Sequence, residues 1–451
     1  MTSDVVILGG GSAGYATALR AAGLSMPVTL IESGKIGGTC LHKGCIPTKA
    51  LLHAAETADV VRDAATFGIK GATPDVDMGG VRKYRDAVVD RLFSGLRGLI
   101  TAHGITVIEG EGQVTGPREV TVDGRIVTGS HLVLATGSYP KVPAGTQLGD
   151  RVMTSDGALD LGYLPDDAIV LGGGVIGCEF ASAWASLGVS VTVVEAMDRL
   201  LPGEDEFVSK YVARAFRRRG ITGKTRAVVA DVAEHDDWVT VTLESGEKLE
   251  AEVLLVAVGR GPSTEGLETT GITLEHGFVA TDERLRTNMP GVYAAGDIVT
   301  GPQLAHRGYQ HGIFVAEDIA GLKPEPIDDA KMPRVSYSRP ETAAVGLTEA
   351  QAKQRYPDVR TVTYDLAGNG KSQILGTSGG VKLVGSAAGE ILGVHLVGER
   401  VSELIGEAQA LLGLGCGVRQ AAQVIHAHPT QSEALGEAFM ALAGKPFHMH
   451  D

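Results

Sequence analysis

Two cysteines lie five positions apart, Cys40 and Cys45, in a stretch that opens with glycines and closes with Pro47 and Lys49. This spacing lets the two sulfur atoms form a disulfide if the backbone bends into the start of a helix. The chain-entropy model gives so short a loop only about 2 kcal/mol of stabilisation. A large protein gains little from so weak a cross-link, so the favoured interpretation is a redox-active pair.

Three other interpretations of this stretch stay open. Free cysteines are commonly buried as small hydrophobic side chains, and the pair also fits an ordinary structural disulfide. Cys40, His42 and Cys45 could together ligate a metal, although zinc usually takes four ligands that include a close cysteine pair. The other two cysteines, Cys178 and Cys416, have no partner at such a spacing. We expect both to be buried structural thiols.

The composition bounds the class of protein. With 451 residues, 43% of them hydrophobic, and 62 glycines, the chain predicts roughly two to four domains of a turn-rich α/β type. A net charge of −14 argues against nucleic-acid binding and against docking on anionic membranes. No apolar run approaches the ~20 residues that span a bilayer. Four cysteines indicate a reducing compartment, and residues 4–8 predict a buried strand rather than a signal peptide, so we expect a cytoplasmic location.

The N-terminal region carries a dinucleotide-binding pattern. Residues 4–8 predict a strand and residues 15–22 a helix, and the turn between them has the G-x-G-x-x-G spacing of Gly9, Gly11 and Gly14. Such glycines let the backbone approach a pyrophosphate at the start of the helix. Glu32 closes the next predicted strand, where the ribose of a dinucleotide needs an acceptor. Tight packing alone could also demand these glycines.

The same pattern recurs after a linker rich in proline and glycine over residues 140–149. A predicted strand at 168–171 leads into Gly172, Gly174 and Gly177, and a later strand closes with Glu195. Glu32 lies 23 positions after Gly9, and Glu195 lies 23 positions after Gly172. The sequence therefore predicts two dinucleotide-binding folds. A carboxylate at the strand end favours a free 2′-hydroxyl, which predicts NAD rather than NADP in the second fold.

Further buried strands are predicted over 131–138, 253–258 and 292–295, each ending at a glycine turn. From about residue 326 the pattern changes to that of an antiparallel sheet with helices. The predicted fold class is α/β, with two Rossmann-like domains and a C-terminal α+β unit. The predicted domains are 1–149 (first nucleotide), 150–260 (second nucleotide), 261–325 (return to the first domain) and 326–451 (C-terminal unit).

Two stretches carry a specific resemblance. The cysteine stretch from Gly38 to Lys49 and the stretch from His428 to Glu433 resemble those of the pyridine nucleotide–disulfide oxidoreductases, and the resemblance extends over nearly the whole chain. Within that family the sequence is similar to the branch that oxidises protein-bound dihydrolipoamide in 2-oxoacid dehydrogenase complexes. The resemblance implies FAD in the first fold and NAD in the second.

The resemblance also implies roles for individual residues. Cys40 would exchange with substrate, Cys45 would face the flavin, and Lys49 would lie beside the flavin ring. His428 would be the acid–base group, oriented by Glu433. The implied FAD contacts are Gly9, Gly11, Gly14, Glu32, Gly112, Thr136, Gly137, Ser138, Asp297, Gln303, Leu304, Ala305 and His306. The implied NAD contacts are Gly172, Gly174, Gly177, Glu179, Glu195 and Gly259, with Glu179 near the nicotinamide.

The resemblance further implies a homodimer whose C-terminal unit forms the interface, and a lipoyl-bearing acyltransferase as partner. Thr430 and Glu433 also have the spacing of a helix capping box, so Glu433 could simply cap a helix. His42 and Lys43 replace the Asn and small apolar residue common in the family, and we expect their positive charge to favour the Cys40 thiolate. A glutathione- or mercuric-type reductase that uses NADPH, and a non-catalytic flavoprotein, are the competing functions.

Overall fold

The first part of the chain forms a sheet flanked by helices, which is parallel at its centre and antiparallel at one edge. The computed structural model describes residues 2–70 and 73–449. The strands are β1 (Thr2–Leu8), β2 (Val28–Glu32), β3 (Thr106–Glu109), β4 (Gly112–Gly116), β5 (Glu119–Val122) and β6 (Arg125–Leu134). The helices are α1 (Ser12–Gly23), α2 (Gly38–His42), α3 (Cys45–Asp63) and α4 (Met78–Ala102). β1 pairs in parallel with β2 and β6, and its residues from Val5 to Leu8 are buried, as an apolar run covered on both faces requires.

A second parallel sheet repeats this arrangement. Its segment contains β7 (Ser138–Pro140), β8 (Val152–Met153), α5 (Ser155–Asp160), β9 (Asp167–Leu171), α6 (Val175–Leu187), β10 (Ser190–Val194), α7 (Glu206–Arg218), β11 (Thr222–Lys224), β12 (Val229–Glu234), β13 (Val239–Leu243), β14 (Lys248–Ala251), β15 (Val253–Val256) and β16 (Arg260–Pro262). The order of the parallel sheet is β11-β10-β9-β15-β8, and β12, β13 and β14 form a separate antiparallel sheet. β16 pairs antiparallel with β7, so the chain leaves this unit beside the point where it entered.

The chain then returns to the first sheet. β17 (Leu274–Glu275) and β18 (Phe278–Val279) form a small hairpin, and β19 (Val292–Ala294) pairs in parallel with β6. The helix α8 (Ala305–Ile319) follows and packs along α1. This return brings residues separated by almost 300 positions into one unit.

The C-terminal unit is an antiparallel sheet with helices. Its elements are β20 (Arg334–Ser336), β21 (Glu341–Gly346), α9 (Glu349–Arg355), β22 (Val359–Asp365), α10 (Gly370–Leu375), β23 (Gly380–Ser386), β24 (Ile391–Gly398), α11 (Val401–Gly413), α12 (Val418–Ala421) and α13 (Glu433–Leu442). The order is β20-β21-β24-β23-β22, and the inner strands β23 and β24 are buried along their whole length. α11 packs on β21, and α13 packs on β22 and β23, so the helices cover the apolar face of the sheet.

The predicted fold class is confirmed: two Rossmann-like units precede an α+β unit. Two predicted strands end earlier than expected. The strand predicted over 131–138 spans Arg125–Leu134, and the strand predicted over 253–258 ends at Val256. Each is followed by a glycine with positive φ, Gly137 (78°) or Gly259 (104°), which turns the chain away from the sheet. The predicted domain boundaries stay our proposal.

The two isolated cysteines differ in burial. Cys178 is fully buried in α6, as predicted. The prediction for Cys416 was wrong, because this thiol is only half-buried in the turn that joins α11 to α12. Leu414, two residues earlier in the same turn, is 82% exposed. Within residues 2–70 and 73–449, no helix is long and apolar enough to cross a membrane.

Candidate active site and cofactor cradles

The first glycine turn joins β1 to α1 with no space for side chains at its ends. Gly9 has φ of 102°, and a Cβ atom there would lie 2.3 Å from the carbonyl oxygen of Ala135. A Cβ atom on Gly14 would lie 1.8 Å from the carbonyl oxygen of Gly9. Both glycines are therefore required by packing. Gly11 differs: its φ is −71°, and its Cβ atom would meet nothing closer than a backbone atom of Gly38 at 4.0 Å.

The second turn, between β9 and α6, repeats this geometry. A Cβ atom on Gly172 would lie 2.4 Å from the carbonyl oxygen of Ala257, and one on Gly177 would lie 1.9 Å from that of Gly172. Gly174 has φ of −75° and no atom within 4 Å of its would-be Cβ. The chain itself does not require a glycine at this position. A bare backbone facing open space is what the close approach of a pyrophosphate requires, so both turns fit a dinucleotide.

In each unit a carboxylate is fixed at the end of the strand that follows the helix of the glycine turn, at β2 in the first unit and β10 in the second. Glu32 accepts hydrogen bonds from the backbone N–H groups of Gly10 (2.5 Å) and Gly34 (2.7 Å). Glu195 accepts from the N–H groups of Gly173 (2.6 Å) and Met197 (2.7 Å). Each carboxylate keeps further lone pairs for a ligand, because its two oxygens accept about four hydrogen bonds in total.

A cleft of about 1910 Å³ runs between the two glycine turns, and we call it the central cleft. Most of the predicted site residues line it: Gly9, Gly11, Glu32, Cys40, Cys45, Lys49, Thr136, Gly137, Ser138, Gly172, Gly174, Glu179, Glu195, Gly259, Asp297, Gln303, Leu304, Ala305 and His306. Five do not line it, namely Gly14, Gly112, Gly177, His428 and Glu433. Packing accounts for Gly112, since a Cβ atom there would lie 2.6 Å from a methyl group of Leu8.

Polar groups converge on the cleft near the turn that follows β6. Ser138 donates its hydroxyl hydrogen to Asp297 over 2.6 Å, and Arg260 donates to the same hydroxyl oxygen over 2.8 Å. The side-chain nitrogen of Gln303 is buried without a hydrogen-bond partner among the described residues. A buried, unpaired donor costs about 1–3 kcal/mol, so this amide fits a ligand that carries an acceptor.

The two predicted redox cysteines are neighbours at the centre of the cleft. Cys40 lies in the five-residue helix α2, and Cys45 begins α3. All four cysteines of the chain are free thiols in this structure, and the thiols of Cys40 and Cys45 are hydrogen-bonded to each other. That hydrogen bond lowers the pKa of Cys40 to about 7 and, together with burial, raises the pKa of Cys45. The dithiol therefore loses one proton near neutral pH, and that negative charge is shared by the pair.

An ion pair lies beside the thiols. Lys49, one turn into α3 from Cys45, forms a salt bridge of 2.9 Å with Glu179, which is buried in α6. Burial alone would lower the pKa of Lys49, but the charge and hydrogen bond of Glu179 outweigh it and raise the pKa. The ammonium group lies 4.8 Å from the centre of the Tyr337 ring, and Tyr337 donates its backbone N–H to Glu179. This pair joins the cysteine helix to the second nucleotide unit.

His428 and Glu433 form a pair at the surface. The Nδ1 atom of His428 lies 2.9 Å from Glu433, and the histidine side chain is 78% exposed. Glu433 also accepts the backbone N–H of Thr430, which lowers the pKa of its carboxyl group. Only half of the predicted capping box is present, because α13 begins at Glu433 with Ser432 as its N-cap and the Thr430 hydroxyl donates to the backbone oxygen of Ala427. The orienting role is compatible with the geometry, since His428 and the Thr430 N–H use different oxygens of Glu433.

The metal-site interpretation of the cysteine stretch finds no support. The ring of His42 is hydrogen-bonded to the backbone oxygen of Ile36 (2.9 Å) and stacks edge-on against Phe93. Among the residues that the structure describes, no group of three or more His, Cys, Asp or Glu side chains could hold a metal ion. Lys43 pairs with Asp156 at 3.5 Å, so the positive charge near Cys40 comes from Lys49.

Comparison with known proteins agrees with this geometry. Residues 3–312 match the family described as pyridine nucleotide-disulphide oxidoreductase, and residues 332–439 match the dimerisation domain of the same family. The chain belongs to the pyridine nucleotide-disulphide oxidoreductases.

Relatives within this family match over the full length. A dihydrolipoyl dehydrogenase of Bacillus subtilis is 40% identical and covers 99% of each chain. A leghemoglobin reductase of Glycine max is 37% identical and covers 99% of this chain and 89% of its own. The crystal structure of LpdA from Mycobacterium tuberculosis has a TM-score of 0.91 at 29% identity, over 98% of this chain and 99% of its own. A Cu(II) complex of the flavoprotein disulfide reductase RclA from Escherichia coli has a TM-score of 0.89 at 28% identity, over 98% of this chain and 99% of its own.

Three residues of this site were not predicted from the sequence. The hydroxyl of Tyr309 lies 3.9 Å from the sulfur of Cys40, Ser12 helps to lower the pKa of Cys40, and Tyr337 contacts Lys49. Ser12 and Tyr309 line the cleft from helices far apart in sequence, so no spacing rule connects them with the cysteines. The only local signal is the pair of glycines on either side of Tyr309, Gly308 and Gly312, which marks a helix face in close contact with another element.

The two kinds of glycine predict different effects of substitution. Gly174→Ala should leave the melting temperature within about 1 °C of the wild-type value. It should weaken NADH binding about tenfold or more, because the added methyl group enters the cleft. A tenfold change in affinity corresponds to about 1.4 kcal/mol. Gly177→Ala should lower the melting temperature by several degrees, because its methyl group overlaps a backbone oxygen. Calorimetric titration and thermal unfolding measure both effects. Equal melting temperatures for the two variants would contradict this division.

The lowered pKa of Cys40 predicts a pH profile for its alkylation. Only the thiolate is nucleophilic, so the rate with iodoacetamide in the reduced protein should rise with pH with a midpoint near 7. Mass spectrometry of the two cysteine peptides separates Cys40 from Cys45. Buried Cys178, whose pKa is raised by burial, serves as the internal control and should not react in that range. A midpoint for Cys40 near that of free cysteine, about 8.5, would contradict the arrangement.

Proposed function

We propose that this protein is an FAD-dependent dihydrolipoyl dehydrogenase. It oxidises protein-bound dihydrolipoamide to lipoamide through the Cys40–Cys45 pair and reduces NAD⁺ to NADH. The observation that carries the proposal is the position of two hydrogen-bonded thiols, one with a pKa near 7, in a cleft between two dinucleotide cradles. Relatives named dihydrolipoyl dehydrogenase over the full chain support this choice of substrate.

The proposal assigns FAD to the first cradle and NAD to the second. The first would hold FAD through Gly9, Gly11, Glu32, Thr136, Gly137, Ser138, Asp297, Gln303, Leu304, Ala305 and His306. The second would hold NAD through Gly172, Gly174, Glu179, Glu195 and Gly259. Gly14 and Gly177 do not line the cleft and would support the cradles by close packing of each turn. When bound, the flavin supplies two-electron transfer between a dithiol and a nicotinamide. Gly112 supports this region by packing rather than by contact with the cleft.

The cysteines carry the exchange with substrate. A thiolate of dihydrolipoamide attacks Cys40 of the oxidised pair, forms a mixed disulfide and displaces Cys45 as a thiolate. The second substrate thiolate then attacks the mixed disulfide, releases lipoamide and leaves the pair reduced. The ammonium of Lys49 stabilises negative charge on both cysteines, since it lowers the pKa of each. Two electrons and two substrate protons leave the dithiol in each turnover.

His428 would accept those protons as the acid–base group, with Glu433 orienting its ring. The pair is exposed and does not line the cleft of its own chain. The family's dimerisation domain covers residues 332–439, which include both residues. We therefore place His428 of the partner subunit at the thiols of Cys40 and Cys45, so that each active site of a homodimer needs both chains.

Two further assignments complete the proposal. The lipoyl group would arrive on the acyltransferase component of a 2-oxoacid dehydrogenase complex, because dihydrolipoamide is carried by a protein in such complexes. The location would be the cytoplasm, because four cysteines in a chain of 451 residues suit a reducing compartment.

The activity and its cofactor preference can be measured together. Purified protein loaded with FAD should form NADH from dihydrolipoamide and NAD⁺, and kcat/KM with NADP⁺ should be roughly a hundredfold lower because Glu195 repels a 2′-phosphate. Glu195→Gln should narrow this ratio, whereas Glu250→Gln, at an exposed position on β14, should not. No NADH formation from the loaded protein would refute the proposed function, and equal use of both nucleotides by the wild type would refute the role of Glu195.

Mixed dimers test the shared active site. Cys40→Ser and His428→Ala homodimers should both be inactive, since each lacks one residue at both sites. A heterodimer of the two variants, isolated with two affinity tags, has one complete site and should recover about half of the wild-type activity.

The chain offers a matched control for the histidine. His448, whose side chain is 63% exposed, forms a similar pair with the buried Glu437, with its Nδ1 atom 2.8 Å from the carboxylate. His448→Ala should keep its activity. An inactive heterodimer that still binds both nucleotides would show that His428 does not act across the interface.

A further inference from the structure

Two tyrosines lie next to the thiol that the proposed function assigns to substrate exchange. The hydroxyl oxygen of Tyr309 is 3.9 Å from the sulfur of Cys40, within hydrogen-bonding distance for a sulfur atom. The ring of Tyr15 lies 5.6 Å from that of Tyr309, so the two side chains are neighbours. The proposed roles of the cleft residues make no use of either tyrosine.

The close contact between α8 and α1 positions Tyr309. A Cβ atom on Gly308 would lie 3.2 Å from the side chain of Ser12, and one on Gly312 would lie 2.4 Å from the carbonyl oxygen of Ala13. The two helices therefore touch backbone to backbone on either side of Tyr309. This close contact sets the separation of the two helices and places the backbone of Tyr309 beside the start of α1, from where its hydroxyl group reaches Cys40 in α2.

The protonation states fix the direction of the hydrogen bonds. A thiolate has no hydrogen, so once Cys40 is ionised the hydroxyl of Tyr309 must be the donor. The oxygen of Tyr309 is then available to accept a hydrogen from the neighbouring Tyr15, which would give a chain from Tyr15 through Tyr309 to Cys40. Burial raises the pKa of both tyrosines, so both stay protonated across the neutral range and keep their donors.

We propose that Tyr309 is a catalytic residue of the thiol centre, which donates a hydrogen bond to the Cys40 thiolate while Tyr15 orients it. The proposal rests on the proposed function for the assignment of Cys40 as the thiol that meets substrate. Its effect is to keep Cys40 a competent nucleophile and leaving group at neutral pH.

Three other groups also face Cys40. Cys45 and Lys49 approach from α3, and the Ser12 hydroxyl approaches from the first turn of α1. Cys45 has the largest effect on the pKa of Cys40, followed among the favourable groups by Tyr309, Ser12 and Lys49. Removal of the Tyr309 hydroxyl should therefore raise the pKa of Cys40 only part of the way to its ordinary value, and Cys40 should still ionise.

The test is the pH profile of alkylation in a Tyr309→Phe variant. The holoprotein is reduced with dithiothreitol and treated with iodoacetamide at a series of pH values, and mass spectrometry follows the Cys40 peptide. The midpoint should move up by about one pH unit, which lowers the rate at pH 6 by up to roughly tenfold. Phe keeps the ring, so the melting temperature and the bound flavin should stay near those of the wild type.

Two further variants complete the design. Tyr15→Phe should shift the midpoint in the same direction by a smaller amount, because it removes only the support of Tyr309. Tyr84→Phe, at an exposed position on α4, should leave the profile unchanged. An unchanged midpoint in folded Tyr309→Phe would overturn the proposal, as would an equal shift in Tyr84→Phe. If Tyr309→Phe does not fold, Tyr15→Phe decides, and no shift there would overturn the proposal.

This readout is independent of the proposed function. A shifted alkylation profile in a protein that does not oxidise dihydrolipoamide would support the role of Tyr309 and reject only the choice of substrate. Normal turnover of dihydrolipoamide with an unshifted alkylation profile would support the proposed function and reject the role of Tyr309.

Discussion

The close approach of each glycine turn to its neighbouring strand is the constraint on which the rest of the site depends. In both units the first and last glycines of the turn leave no room for a Cβ atom, since a carbonyl oxygen lies within 2.4 Å of where it would be. The helix start is thereby fixed against the strand end, and the middle glycine is free to face a ligand. The Glu32 and Glu195 carboxylates complete the repeat, because each binds the backbone of its own turn.

The same tight contact extends to the third element of the site. A Cβ atom on Gly296 would lie 3.0 Å from Ala13, and Gly308 and Gly312 also have no room beside α1. The start of α1 therefore positions the returning segment with Asp297 and the helix α8 with Tyr309. Three segments from distant parts of the chain meet in one place because their glycines allow backbone contact.

The features predicted from sequence are those fixed by local geometry. The two glycine turns, the strand-end carboxylates and the cysteine pair all lie within short stretches of chain, so their spacing is visible in the sequence. Tyr309 is 269 residues from Cys40, and only the return of the chain to the first sheet brings them together. The burial of Cys416 was mispredicted for the same reason, since exposure depends on what packs over a turn. The side chains of His42 and Lys43 found partners in Ile36 and Asp156 that their position in the sequence does not reveal.

The first turn of α1 takes part in two events at once. Gly11 faces the space where a dinucleotide pyrophosphate fits, and Ser12, the next residue, is hydrogen-bonded to Cys40. One peptide bond therefore connects the cradle to a group that acts on the thiol. If occupancy of the cradle changes the acidity of Cys40, then ionisation of Cys40 changes the affinity of the cradle by the same factor.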